Sequence, residues 1–267
     1  MTPDGPLAAH GFSHVVHPTD FSAGGEPAFV HALRLALAAR GHFYLVHAEE
    51  LEPGDDADWG AFPGIRSTLT RWGLLAPDAD PGEVHERLGL RATKVDIPDD
   101  DPVDGVLRFV DRNRCDFLVV ATHAREGLAR LLQGSVAETL ARKAQLPTLL
   151  LPLHARGFVD VATGALALRM ADALDCDEAA LHSLHVGPPE DAPVLAVDPE
   201  HEPRVRRTIV KDGSVVETIV DHAARLDAEL IVMATRGRDG LMDHLRGSTT
   251  EQVLRQANRA LLAVPAG

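Results

Sequence analysis

Residues 115 to 152 read CDFLVVATHAREGLARLLQGSVAETLARKAQLPTLLLP. Phe117 to Val120 is an unbroken apolar run, the pattern of a strand covered on both faces. A loop with Thr122, His123 and Arg125 follows. Gly134-Ser135 then opens a helix whose apolar positions Val136, Leu140 and Ala144 recur at helical spacing. Leu149 to Leu151 is a second short strand, closed by Pro152. A strand, a glycine-bearing loop and a helix make half of a nucleotide-binding unit.

The stretch occurs twice. Residues 228 to 265 read AELIVMATRGRDGLMDHLRGSTTEQVLRQANRALLAVP. A constant offset superimposes the copies without gaps. Val119 meets Val232, Thr122 meets Thr235, Arg125 meets Arg238, and Gly127 meets Gly240. Gly134-Ser135 meets Gly247-Ser248, Glu138 meets Glu251, and Pro152 meets Pro265. So many unlike residue types do not align by chance, so the chain is a duplication. The repeat is domain-sized, which predicts two tandem domains, 1–152 and 153–267, rather than a solenoid.

The 267 residues suffice for two modest cores. Aromatics are only 4%, so those cores are aliphatic. The formal charge of −14 argues against a nucleic-acid polymer, which needs a basic patch. It leaves room for one small nucleotide, which a few backbone N–H groups can hold. Cys115 and Cys176 have no metal-like spacing and are expected to be reduced and buried in a cytoplasmic protein. The start, MTPDGPLAAHGFSH, lacks the basic and apolar segments of a signal peptide. No apolar run has the length of a membrane span.

Residues 1 to 12 read as a leader. His14 to His17 is a short strand, ended by Pro18-Thr19-Asp20. Glu26 to Arg40 is a helix with Phe29, Leu33, Ala36 and Leu37 on one face, stopped by Gly41. His42 to Ala48 is the second strand. Residues 51 to 64 are loop, and Ile65 to Leu75 carries a helix, with a further loop through Pro81-Gly82. Arg91 to Ile97 is the third strand. Asp99 to Asp101 reads as a solvated acidic turn, and Pro102 starts a helix that runs to about Asn113. Strands alternating with helices predict an α/β fold: two open, mostly parallel five-stranded sheets with helices on both faces. Ligands of such sheets sit beyond the C-terminal strand ends, where strand order reverses. Here those ends are Asp20 and Ala121 to Arg125.

At this point the chain resembles the universal stress protein family, as a tandem two-domain member. VVHPTDFSAGGEPAFVHALRLALAARGHFYLVHA looks like that family's first strand, Asp-bearing loop, helix and second strand. The family's ATP-binding branch carries G-x2-G-x9-G-[S/T] after its fourth strand. The matching positions are Ala121, Ala124, Gly134 and Ser135, and then Ala234, Gly237, Gly247 and Ser248. The spacer is kept in both copies, but alanine stands at the first position twice and at the second once. The resemblance implies a nucleotide site in the first half from Thr19, Asp20, Ala121, Thr122, His123, Arg125, Gly134, Ser135 and Val136. It implies a degenerate one in the second half from Thr235, Arg236, Gly237, Gly247, Ser248 and Thr249. The implied ligand is ATP or AMP, with an empty site as the alternative. Alanine held in a left-handed conformation costs roughly 1 kcal/mol, whereas in ordinary backbone it is tolerated. The sequence leaves both open. Ser135 with Glu138, and Ser248 with Glu251, also fit a capping box, reason enough for a serine there.

The second half departs from the first near its start. Ala179 to Val186 matches the second strand, Pro188 to Glu202 is loop, Val205 to Val210 is the third strand, and Ser214 to Arg225 is a helix. No PTDFS-like segment lies between Pro152 and Ala179. In one reading Phe158 to Val161 is a shortened first strand and Ala165 to Leu174 a helix with Leu166, Met170 and Leu174 inward. In the other, the region is a hairpin and the central strand is lost, truncating the second domain. The first is preferred, because a lost central strand would expose its neighbours' edges.

Among fourteen histidines, His14 with His17 and His182 with His185 are close pairs. Residues three apart in a strand face opposite ways, so neither pair chelates and no metal is assigned. Arg125 reads either as a solvated loop residue or as a fork on phosphate, and His123 as its weaker companion. No G-x-S-x-G, Walker lysine or telling carboxylate pair appears, so no catalytic residue is assigned. The role implied by the resemblance is a cytoplasmic stress response that works by nucleotide-dependent binding without efficient turnover. A ligand-free interaction module and a slow ATPase are the alternatives. Each repeat ends in a short apolar strand that would be an edge on its own. Leu149 to Leu151 and Leu261 to Val264 are therefore expected near an interface between the halves, an internal pseudo-dimer to which a further homodimer is optional.

Overall fold

Val15, Phe43, Phe117 and Leu149 are shut away on one face of a sheet, and Val16, Val46, Leu118 and Leu150 on the other. A strand such as FLVV needs cover on both sides, and helices supply it. The computed structural model describes residues 12–22, 25–49, 59, 63–99, 101–122, 136–152, 181–192, 202–235 and 249–265. In the first half these form β1 (His14–Thr19), α1 (Glu26–Ala39), β2 (His42–Glu49), α2 (Ile65–Arg71), α3 (Glu83–Leu88) and β3 (Arg91–Pro98). They continue through α4 (Pro102–Asn113), β4 (Phe117–Thr122), α5 (Val136–Lys143) and β5 (Thr148–Pro152). The second half contributes β6 (Leu181–Val186), β7 (Val205–Val210), α6 (Val215–Arg225), β8 (Leu230–Thr235), α7 (Thr249–Ala257) and β9 (Ala260–Pro265).

The main sheet runs β3-β2-β1-β4-β5-β9-β8, and every neighbouring pair is parallel except β5 with β9. The first five strands make a doubly wound unit. Phe29 and Leu33 of α1, Leu69 of α2 and Val84 of α3 cover one face. Val103, Val106 and Val110 of α4 and Leu140 of α5 cover the other. Strand order reverses between β1 and β4.

β5 and β9 join the two halves, where the two terminal strands were expected to meet. Thr148 pairs with Ala263, Leu149 with Leu262, and Leu150 with Leu261. Under the repeat alignment Leu262 is the counterpart of Leu149, so a local two-fold axis passes through that pair. Two ion pairs obey the same axis. Arg255 of α7 meets Glu138 of α5 at 3.1 Å through both Nε and Nη2. Arg142 meets Glu251 at 3.9 Å. Arg142 and Arg255 are repeat counterparts, as are Glu138 and Glu251. The contact is isologous, like that of a two-fold dimer, but within one chain. The two glutamates of the capping-box reading thus each face an arginine of the other repeat.

β6 and β7 form a separate parallel pair, and among the described residues no strand links β6 to β8. The region read as a shortened strand and helix, 158–174, lies outside the described residues. Several expectations need correction. Pro18 lies inside β1 rather than ending it. The helix from Ile65 stops at Arg71, and α3 is an additional helix where a loop was expected to lead straight to β3. Asp101 is not merely solvated: its Oδ1 accepts from Val103 N at 2.8 Å and Asp104 N at 3.3 Å, capping α4 ahead of Pro102. Asp99 pairs with Arg108. The loop 188–202 contains the short 3-10 turn Pro189–Asp191, and a second, Glu202–Arg204, begins at its end. Cys115 is a free thiol, half-buried, and burial pushes it up to about 12.

Candidate functional site

Pro18 poses a problem in a central strand, because it has no N–H for the ladder. The register shows where the missing donor falls. Val15 pairs with Phe117 and Val16 with Leu118. Leu118 N donates to Pro147 O of the β5 side, so Phe117 and Val119 turn their backbone groups toward β1. In a parallel ladder Val119 O would accept from the residue after its partner His17, which is Pro18. The β1–β4 register indeed stops at Val16, whereas β1 pairs with β2 through Thr19 and β4 with β5 through Thr122. The His17 side chain fills the vacancy. Its Nδ1 lies 2.9 Å from Val119 O. A carbonyl only accepts, so Nδ1 carries the proton. His17 is fully buried, and burial holds its imidazole down at about 4. The neutral ring therefore bridges two strands whose backbones part at the switch point, where such sheets take their ligands.

The lips of this crevice come from both strands. Thr19 ends β1, buried, with its Oγ1 accepting from Phe21 N at 3.1 Å. Asp20 follows, exposed, and its Oδ1 accepts from Ser22 N at 3.0 Å. The Ser22 hydroxyl is buried without a hydrogen-bond partner among the described residues. Ala121 and Thr122 end β4 on the other lip, and Thr122 is buried. Ala121 is in ordinary strand conformation, since positive φ among the non-glycine residues described is confined to Phe21, Arg40, Arg114, Asp227 and Asn258. The alanine at this motif position therefore carries no left-handed strain. Val136 heads α5, exposed.

His123, Arg125, Gly134 and Ser135 lie outside the described residues, as do Arg236, Gly237, Gly247 and Ser248. Thr235 ends β8, and Thr249 begins α7, exposed. Thr19, Asp20, Ala121 and Thr122 are thus brought to one edge by adjacent strands. Three aromatic groups beside them escaped the sequence reading. Phe21, at φ 58°, stacks on His47 at 4.2 Å, and Trp59 meets Phe21 edge-on at 4.9 Å. His47 Nδ1 donates to Thr19 O at 2.9 Å. The repeat of histidine at the places of His47 and His185 was the available signal.

The histidine pairs behave as strand geometry demands. His14 stacks near His42 and Tyr44, on the face opposite His17. His185 Nε2 bonds Pro188 O at 3.0 Å, while His182 turns to His222 of α6. Among the described residues no three His, Cys, Asp or Glu side chains gather as a metal site, and no helix is long and apolar enough to cross a membrane.

Comparison with known proteins agrees with this architecture. The model of the universal stress protein family matches residues 11–152 and 195–265. A universal stress protein of Methanocaldococcus jannaschii is 26% identical over 140 residues, covering 52% of this chain and 81% of that protein. The crystal structure of a universal stress protein from Archaeoglobus fulgidus superimposes with a TM-score of 0.61 at 17% identity, covering 96% of this chain and 97% of that one. A protein of unknown function from Pseudomonas aeruginosa superimposes with a TM-score of 0.60 at 15% identity, covering 97% and 94%. With its two segments matched in order and its sheets wound in this way, the chain belongs to the universal stress protein family.

Proposed function

We propose that the first half binds an adenine nucleotide, ATP or AMP, in the β1–β4 crevice, and that the protein acts in a cytoplasmic stress response by ligand-dependent binding rather than turnover. The interrupted ladder at the switch point carries this reading. Just past it lie Asp20, whose carboxylate can accept from a ribose hydroxyl, and the Ser22 hydroxyl, buried with no hydrogen-bond partner among the described residues. The sequence places Gly134-Ser135 just ahead of α5, where N–H groups and the helix dipole favour phosphate. The second half has no acidic loop equivalent to Asp20 in its sequence, so its motif is read as degenerate. A ligand-free interaction module is the second reading, favoured by Phe21, which folds onto His47 beside the same strand ends.

Native mass spectrometry of the purified protein separates the two. A mass increment equal to a nucleotide, released on denaturation, supports binding. A bare chain that also stays bare after incubation with ATP and AMP overturns it. Phosphate release no faster than a buffer blank is expected; steady release would make the protein an ATPase.

A further inference from the structure

Among the described residues, β3 is the last strand of the main sheet on its side. Arg91 N donates to Gly41 O at 3.0 Å, so Arg91, Thr93, Val95 and Ile97 turn their backbone groups to β2. Successive residues alternate, so Ala92, Lys94 and Asp96 turn theirs outward. Pro98, without an N–H, closes the row. A groove of about 680 Å³ lies along this edge, between it and α2 and α3. Val84 and Leu90 form its buried apolar floor, and Arg66, His85, Arg91 and Lys94 line it, with no acidic residue among the described lining groups. That is a basic groove on a chain of net charge −14.

Three acids of this region are engaged in local contacts. Glu83 pairs with Arg87 at 3.2 Å, Asp80 Oδ1 accepts from Gly82 N at 2.9 Å, and Asp96 Oδ2 accepts from Trp59 Nε1 at 3.1 Å. Arg91 and Lys94 are exposed and, three apart, lie on opposite faces of β3. A strand added here would meet a cation on either side. We propose that this edge is a docking surface for an extended acidic segment of a partner protein, which joins the sheet as an outer strand. Backbone pairing supplies the geometry and the cations select the charge. The same edge resists a second copy, because an antiparallel β3–β3 pair centred on Lys94 would set Lys94 against Lys94, a standard defence of edge strands.

The test uses the full chain and a synthetic peptide of about eight residues, a strand's length, alternating glutamate and valine. Its counterparts are a lysine–valine peptide and a glutamate–valine peptide N-methylated at every backbone amide. The acidic peptide should bind at least about tenfold more tightly than either counterpart, and Lys94→Glu with Arg91→Glu should weaken it by a similar factor. On binding, amide exchange should slow at Ala92, Lys94 and Asp96 and stay unchanged at Thr93 and Val95, which already bond β2. Equal binding of the N-methylated peptide would reduce the interaction to charge attraction and overturn strand addition. Absence of binding by the acidic peptide, or equal binding by the lysine one, would overturn the proposal outright.

Discussion

His17 is the residue on which the candidate site turns, because it supplies the hydrogen bond that Pro18 cannot. The dependence is testable by a double-mutant cycle. Pro18→Val restores the backbone donor, so His17→Ala should cost less in that background, with a coupling of about 1–2 kcal/mol in urea denaturation. Equal cost in both backgrounds would mean that the ring merely fills space. Protonation gives a second test. Burial lowers His17, and likewise His31 of α1, from 6.5 to about 4. Between those values the unfolded chain binds protons that the folded chain refuses, so stability falls as pH falls through that window. The loss approaches about 3 kcal/mol per histidine near the lower limit. His17→Gln keeps a donor but cannot titrate, and should show a shallower loss between pH 7 and 5. At this scale the sequence was only partly legible. Asp20, Ala121 and Thr122 could be placed from strand ends alone. His17 could not, because its role follows from the register between β1 and β4, which a single sequence does not display. Phe21 and Trp59 meet across a long loop for the same reason.

The elements whose burial is strongest were the easiest to read. β4, α5 and β5 follow from FLVV, the Leu140 face and LLL, all with residues fully shut from solvent. α3 was missed because its six residues bury only Val84, too little for a periodic signal. Pro18 misled in the usual direction: proline ordinarily ends a strand, and here a neighbouring side chain overrides that preference. Asp101-Pro102 combined a side-chain cap with proline in the first turn, a pairing that identifies a helix start better than an acidic turn. Asp101→Ala should destabilise by about 1 kcal/mol in thermal or urea unfolding, whereas the exposed Asp78→Ala should change little. Similar losses in both would show that the cap contributes nothing.

The whole molecule is organised by its internal two-fold axis, and the repeat alignment foretold the strands that meet there but not the ion pairs. Arg255 grips Glu138 with two bonds, while Arg142 reaches Glu251 only at 3.9 Å, so the symmetry is chemical rather than exact in strength. Arg255→Ala should therefore cost up to about 1 kcal/mol and Arg142→Ala close to nothing, measured by unfolding at low salt. The reverse order would place the stronger contact in the wrong copy. Because this edge is satisfied within one chain, a further homodimer would have to use another surface. The halves are unequal in a second respect: the first presents Asp20 beside the switch point, and the second has no such loop in its sequence. Nucleotide binding should accordingly be confined to the first half. Calorimetric titration of ATP into the wild type, Asp20→Ala, Gly134→Val and Gly247→Val tests this most directly. The expected result is saturable binding in the wild type, weakened by roughly 1.5–3 kcal/mol in Asp20→Ala, abolished in Gly134→Val and unchanged in Gly247→Val. Loss of binding in Gly247→Val alone, or no heat of binding in the wild type, would contradict it.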